Sequence, residues 1–450
     1  MLLRLLYHHF RMLSSLRHRL GRRLTKSGVF VMSGLVASAV LGVDTNQTVA
    51  YQAFTFLLAM LVISVIWSAL FRTQLSVRRI MPRYGSVGEP LAYRIVAHNP
   101  THKTLRGLTV VEGVGDPRPS LEQFIHTPDA GAERPNWFDR TIGYSRWLRL
   151  LSSNREAIVA EQPLPPLPPH AEGEVRLDII PLRRGHMRLS GVTVARADPL
   201  GLCRGLVTVP AKQSLLVLPK RYPLPSIQLP GTRKYQQGGV ALAGSVGDSE
   251  EFVSLRDYRP GDPLRRMHWK SWARVGKPIV KEYQDEFFVR HALVLDTFMR
   301  TERHEIFEEA TAVAASFACS IQTQESLLDL MFVGPQAYCV TTGRGLGDAE
   351  RMLEILACVL ACRDQEFSVL HHLVIERCAS LSGCICILLG WDDARQDFIR
   401  HLQRLRVPTL VLLITEAGAP DTLPPGPTLG TATRVQRLEI GRIAAGLAHL

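Results

Sequence analysis

The sequence predicts a multidomain chain with two N-terminal transmembrane helices, an antiparallel β-sandwich and an α/β doubly wound domain. Three observations carry that expectation. Two long apolar runs lie near the N-terminus, short alternating segments bounded by Gly, Pro and Asn follow them, and from His291 strand-like and helix-like stretches take turns. With 450 residues and 46% hydrophobic side chains the chain has room for several buried cores, and its composition argues against disorder.

Residues 1–27 form the first element. Leu2, Leu3, Leu6, Phe10, Leu13, Leu16, Leu20 and Leu24 recur mostly at three- and four-residue intervals, among Arg4, Arg11, Arg17, Arg19, Arg22, Arg23 and Lys26 and without one Asp or Glu. This is the pattern of a basic amphipathic helix lying on a membrane surface; a disordered basic leader is the alternative. Much of the net charge of +12 sits here, which points to membrane lipid before nucleic acid.

Residues 28–72 read as a transmembrane helical hairpin, Val29–Val43 and Val49–Phe71 around a polar loop from Asp44 to Thr48. The second run is long enough to cross a bilayer, and the first lies near the lower limit of about 17 residues. A cleavable signal peptide ending at Ala37-Ser38-Ala39 is the rival for the first run, disfavoured by the long leader and the immediate second run. Arginines precede the first run and follow the second (Arg72, Arg78, Arg79, Arg83), and the loop has no Lys or Arg. The positive-inside rule then places both termini in the cytosol. The eight cysteines show no CxxC pair and no ligand spacing, so they read as buried apolar side chains in a reducing compartment.

Residues 74–220 carry the segments LSVRRIMP, LAYRIVAHN, LRGLTVVEGV, GEVRLDIIPL, GHMRLSGVTVAR and SLLVLPK, the pattern of an antiparallel sandwich. An insertion over 115–170 interrupts them. Its middle holds Trp137, Phe138, Tyr144, Trp147 and Leu150 among arginines, and its end is the proline-rich PLPPLPPH. A cover for one sheet edge is the favoured reading, and a contact with lipid headgroups the alternative. Residues 221–250 form a Gly-rich linker. Its GGVALAGSVG lacks the Gly-Lys-Ser/Thr of a phosphate-binding loop, so no nucleotide cofactor is expected.

Residues 287–450 alternate HALVLD, a helix over 302–323, SLLDLMFVG, AYCVTT, helices over 347–362 and 367–379, GCICILLG, a helix over 392–405, VPTLVLLIT, TRVQRLEI and a closing helix. Continuous apolar strands between helices predict a doubly wound sheet.

The densest charge and aromatic content falls at 251–286. Glu251, Arg256, Tyr258, Gly261, Asp262, Arg265, Arg266, Trp269, Lys270 and Arg274 are its candidate interaction residues. Pro260 and Gly261 predict a turn, Asp262 a cap, and the run to Arg274 a short helix with Arg266 and Trp269 on one face. Three readings of this run stand open. It is a structural network of arginines, carboxylates and tryptophans, a docking face for a protein, or a site for phosphate or nucleic acid. The interleaved carboxylates weigh against the last.

Glu251-Phe252, Leu255-Arg256, Tyr258, Gly261-Asp262, Arg266, Trp269 and Ala273-Arg274, with Arg183-Arg184-Gly185 and Asp198-Pro199-Leu200-Gly201-Leu202 upstream, resemble the signature of the bacterial family catalogued as domain of unknown function 58. His268 departs from it, where the family more often carries an acidic residue. The resemblance implies a protein anchored in the bacterial inner membrane, a β-rich domain, a von Willebrand factor A-like domain over 287–450, and a MoxR-type AAA+ ATPase as partner. It implies no established activity. In von Willebrand A domains an Asp-x-Ser-x-Ser run holds a divalent cation, whereas this chain has Asp296-Thr297-Phe298-Met299-Arg300, which removes two oxygen donors. Asp296, Thr342, Asp392 and Asp393 are expected at helix caps and turns, with a gathering at one end of the sheet as the alternative. No metal, catalytic residue or cofactor is expected. The function expected is an interaction or scaffold protein assisting assembly of a membrane complex; the alternative is a hydrolase using Asp262, His268 or Asp296, although no HExxH or Gly-x-Ser-x-Gly stands in the chain.

Overall fold

The computed structural model describes residues 2–41, 48–126, 143–225, 250–262, 264, 267–285, 289–299, 305–320, 326–342, 346–418 and 433–450. They divide into two compact units, Met1–Lys220 and Arg221–Leu450.

The first unit begins with three helices, α1 (Leu2–Arg23), α2 (Lys26–Leu41) and α3 (Thr48–Leu70). The expectation of two transmembrane helices is overturned here. Among the described residues, only Val49–Leu70 is long and apolar enough to cross a membrane. The 16 residues of α2 rise about 24 Å, against a hydrocarbon core of about 30 Å. The multi-pass topology with both termini cytoplasmic rested on two crossings and loses its basis with them.

Two facing sheets follow. One has the order β1 (Ser76–Ile80), β3 (Leu91–His98), β7 (Glu172–Pro181), β5 (Ala157–Val159). The other runs β2 (Tyr84–Ser86), β9 (Arg204–Leu218), β8 (Gly185–Ala197), β4 (Leu108–Gly113), β6 (Gln162–Pro163). Alternation places Ile95, Val175, Leu177 and Ile179 of the first sheet against Val110, Leu189, Val194 and Val217 of the second in one core. The sandwich is not wholly antiparallel, because β2 pairs in parallel with β9. The chain leaves β1 through Met81-Pro82-Arg83, changes sheet and meets β9 at its edge.

In the insertion, α4 (Leu121–His126) and α5 (Tyr144–Ser153) present Phe124, Trp147 and Leu150 to Tyr7 and Phe10 of α1. The insertion also covers sheet edges, as expected: its strands β5 and β6 pair with β7 and β4 at the ends of the two sheets. Residues 127–142, with Trp137 and Phe138, lie outside the described residues.

The second unit holds a hairpin of β10 (Glu250–Asp257) and β11 (Ile279–Asp285), with α6 (Trp269–Val275) in its connection. After it comes a six-stranded sheet, built from β12 (Val289–Leu295), β13 (Ser326–Val333), β14 (Ala337–Thr342), β15 (Gly383–Leu388), β16 (Thr409–Thr415) and β17 (Thr433–Glu439) in the order β14-β13-β12-β15-β16-β17. This sheet is mixed. β13 and β14 are joined by Gly334-Pro335-Gln336, too short for the crossover that parallel strands need, so β14 pairs antiparallel at the edge. Helix α7 (Glu305–Ser320) packs on β12, β15 and β16, and α8 (Leu346–Cys358) against α7 and β14. On the sheet, α9 (Phe367–Ile375) and α10 (Asp393–Arg404) form a core with Ala292, Val294, Met331, Cys386 and Val411, and α11 (Ile443–Ala448) closes on β17. Five of the eight cysteines are buried. The linker stretch 226–249 lies outside the described residues.

Candidate functional site

The hairpin brings most of the candidate residues into one small structure. In β10 Glu251 stands opposite Gln284, and Asp257 opposite Ile279 at the end that opens into the connection. There Gly261, at φ 107°, takes a backbone conformation that L side chains rarely adopt. The turn aims the Asp262 carboxylate back at β10. Arg256 donates to both its oxygens, Nη1 at 2.7 Å and Nη2 at 2.8 Å, and the Arg259 backbone N–H donates to Oδ2 at 2.9 Å. The Arg256 side-chain bonds, then the Arg259 N–H, hold the Asp262 carboxyl down at about 2.

One expectation changes here, the start of the helix. The guanidinium bound to Asp262 is that of Arg256; Arg265 and Arg266 lie outside the described residues. Trp269 stacks on Trp272, with ring centroids 5.3 Å apart and planes 22° apart. The helix begins at Trp269 rather than just after Asp262, because Met267 bridges to Val280 and the His268 N–H donates to Ile279 O at 2.8 Å, tying the preceding residues to β11. Gly276, at φ 74°, ends the helix by donating its N–H to Trp272 O.

The hairpin thus has a buried side and an exposed one. Met267 and Val280 are buried, and Tyr258 is half-buried with its N–H on Pro278 O. Outward stand Lys270 and Arg274, with Trp269 at 62%, Leu264 at 65% and Val275 at 59% exposure.

The second place of interest is the carboxyl end of the large sheet. β12 is followed in sequence by β13 on one side and flanked by β15 on the other, so the strand order reverses beside β12, where open α/β sheets commonly bind ligands. Asp296 sits there, fully buried. Its Oδ1 accepts the Phe298 N–H at 3.0 Å, and its Oδ2 accepts the Leu389 N–H at 3.0 Å and Arg395 Nε at 2.6 Å. Arg395 also binds Asp392 Oδ2 at 2.5 Å and lies 5.0 Å from the Phe367 ring centre. Burial opposes the Arg395 charge, yet Asp296 and then Asp392 hold the guanidinium above its usual range. A protein cation therefore occupies the carboxylate at the sheet's crevice. Arg300 lies outside the described residues. Asp392 caps α10 through the Arg395 N–H, Asp393 is in its first turn, and Thr342 bonds to Leu328 O on β13. Asp392 joins Asp296 through Arg395, whereas Thr342 bonds along the sheet.

Each residue of the hydrolase alternative is engaged by another group. The His268 ring bonds the Ser271 hydroxyl at 2.6 Å at the start of α6, Asp262 is held by Arg256, and Asp296 follows β12, bound to Arg395. Arg395 is the residue that sequence reasoning missed. Its one local signal is the Asp392–Arg395 spacing at the start of a helix.

Residues 254–368 match the model of the family described as protein of unknown function DUF58. That span includes the turn, α6 and Asp296. Over 176 residues the chain is 27% identical to the uncharacterized protein YeaD of Bacillus subtilis (strain 168), covering 39% of this chain and 42% of that relative. Among solved structures, the CARDB domain of the PF1109 protein from Pyrococcus furiosus, determined in complex with di-metal ions, is 13% identical, with a TM-score of 0.16 over 33% of this chain and 94% of that one. Red sea bream transglutaminase is 15% identical, with a TM-score of 0.18 over 34% of this chain and 16% of that one. Scores this low bear on neither fold nor function.

Proposed function

We propose that the chain is a membrane-associated interaction protein, anchored through α3, whose exposed hairpin face receives a protein partner. The observation that carries the reading is the Trp269–Trp272 stack. Trp269 is 62% exposed beside Lys270 and Arg274, within the span that matches the family. Burying such a ring against a partner removes a large apolar area from water, and Trp and Arg dominate binding hot spots. Asp262 and Arg256 neutralise each other inside the turn, which leaves the cations of α6 to an acidic partner surface. The resemblance to the DUF58 family suggests a MoxR-type AAA+ ATPase as that partner and assembly or maturation of a membrane complex as the process. Membrane association is supported by the length and composition of Val49–Leu70.

Crosslinking capture from solubilised membranes, read by mass spectrometry, tests this. Trp269→Ala and Lys270→Ala are expected to keep the melting temperature and to weaken recovery of one dominant protein. A Trp269→Ala chain that melts as before and captures the same proteins in the same amounts overturns the docking reading.

A further inference from the structure

Helix α1 has two apolar faces. One, carrying Tyr7 and Phe10, packs on Phe124 and Trp147 of the insertion helices, and the Tyr7 hydroxyl donates to Pro119 O at 3.2 Å. Arg118 fastens the same side by donating to Ser15 Oγ. The other face holds Leu5, Met12, Leu13, Leu16 and Leu20, which helical spacing gathers on one stripe and which stand 45–63% exposed. The folded β unit therefore holds an apolar stripe outward.

We propose that this stripe lies in the interfacial layer of an anionic leaflet, so that α1 and its insertion clamp seat the β unit on the membrane. The proposal rests on the membrane association set out above. Charge selects the occupant. Residues 1–27 hold seven cations and no carboxylate. A second copy would set like charges against each other, whereas lipid phosphates neutralise them while the leucines enter the acyl boundary. Continuity selects it too. One residue after α1, Leu24 bridges to Cys203; the Thr25 N–H donates to Leu202 O at 3.0 Å, and α2 then runs into the outward apolar side chains Val29, Phe30 and Val36. The leucine stripe thus adjoins an apolar surface already suited to lipid. Arg17 and Arg19 are exposed on α1, where their stems can reach headgroups.

The test uses the full chain in nanodiscs of phosphatidylcholine alone, or of phosphatidylcholine and phosphatidylglycerol in equal parts, each with a photoactivatable phospholipid and peptide mapping of the products. Labelling of the Met12–Leu20 segment is expected, severalfold stronger in the anionic discs. Leu13→Glu with Leu16→Glu should abolish it, and Arg17→Gln with Arg19→Gln should reduce it to the level of the neutral discs, with α3 labelled and melting unchanged throughout. Labelled α3 with unlabelled α1 in anionic discs overturns this proposal alone. An α1-to-α1 crosslinked dimer, or capture of a protein along the stripe, assigns the face to another occupant and also overturns it. Neither helix labelled overturns the membrane reading with it.

Discussion

At the scale of single residues, burial decides what a charged group does. Asp262 and Asp296 both pair with an arginine, but Asp262 shares its turn with solvent while Asp296 has no exposed surface and keeps three donors on two oxygens. His291 is the opposite case, a titratable ring that burial keeps neutral. It is 4% exposed in β12, its Nδ1 has no hydrogen-bond partner, and desolvation lowers its pKa from 6.5 to about 4. Between those values the unfolded histidine binds a proton that the folded one refuses, so stability is complete above the upper value and falls as pH drops toward the lower one. The loss is on the order of 3 kcal/mol when the fall is complete. His291→Phe is expected to flatten that limb, as read from thermal melts over the interval; an unchanged acid limb would assign the loss to another group.

At the scale of elements, one buried network joins the two sheets of the sandwich. Arg79 of β1 binds Glu112 of β4 through Nε at 3.0 Å and Nη2 at 2.6 Å, and the Tyr93 hydroxyl of β3 donates to Glu112 at 2.6 Å. The pair is 1% and 0% exposed at its side chains. Burial first, and then the Glu112 charge, push the Tyr93 hydroxyl pKa up. Removing the carboxylate strands the guanidinium, so Glu112→Ala should destabilise the first unit by about 3–5 kcal/mol, and replacing both partners (Arg79→Met with Glu112→Leu) by much less. Denaturant melts of the full chain in detergent measure both. A Glu112→Ala cost under about 1 kcal/mol would place the pair with exposed ones. Alternating burial along β7 shows why these strands were readable as strands. The network was not readable, because Arg79 and Glu112 lie 33 residues apart on different sheets.

At the scale of the whole molecule, each unit has its own hydrophobic core. Phe307, Phe317 and Phe398 are fully buried in the second unit, around a sheet with helices packed on it. A fragment of residues 221–450 is accordingly expected to fold without the first unit and to melt in one cooperative transition in water. Circular dichroism and calorimetry check it. A fragment that shows no transition would mean that this core needs residues before 221.

What the sequence by itself determined is local and periodic. Alternation marked the strands of the sandwich, continuous apolar runs marked β12, β15 and β16, and Pro260-Gly261-Asp262 marked the turn, because each follows from neighbours within a few residues. The length of α3 was likewise written in composition, whereas a crossing by α2 was not, since its described helix holds 16 residues. Pairing was decided only in three dimensions. That Arg395 would answer Asp296 across 99 residues, and that α1 would turn its aromatic face to an insertion more than a hundred residues away, depends on which surfaces the strands and helices bring within a few ångströms of each other. A side chain's own sequence neighbours carry its propensity; its partner is chosen by the packing that buries it.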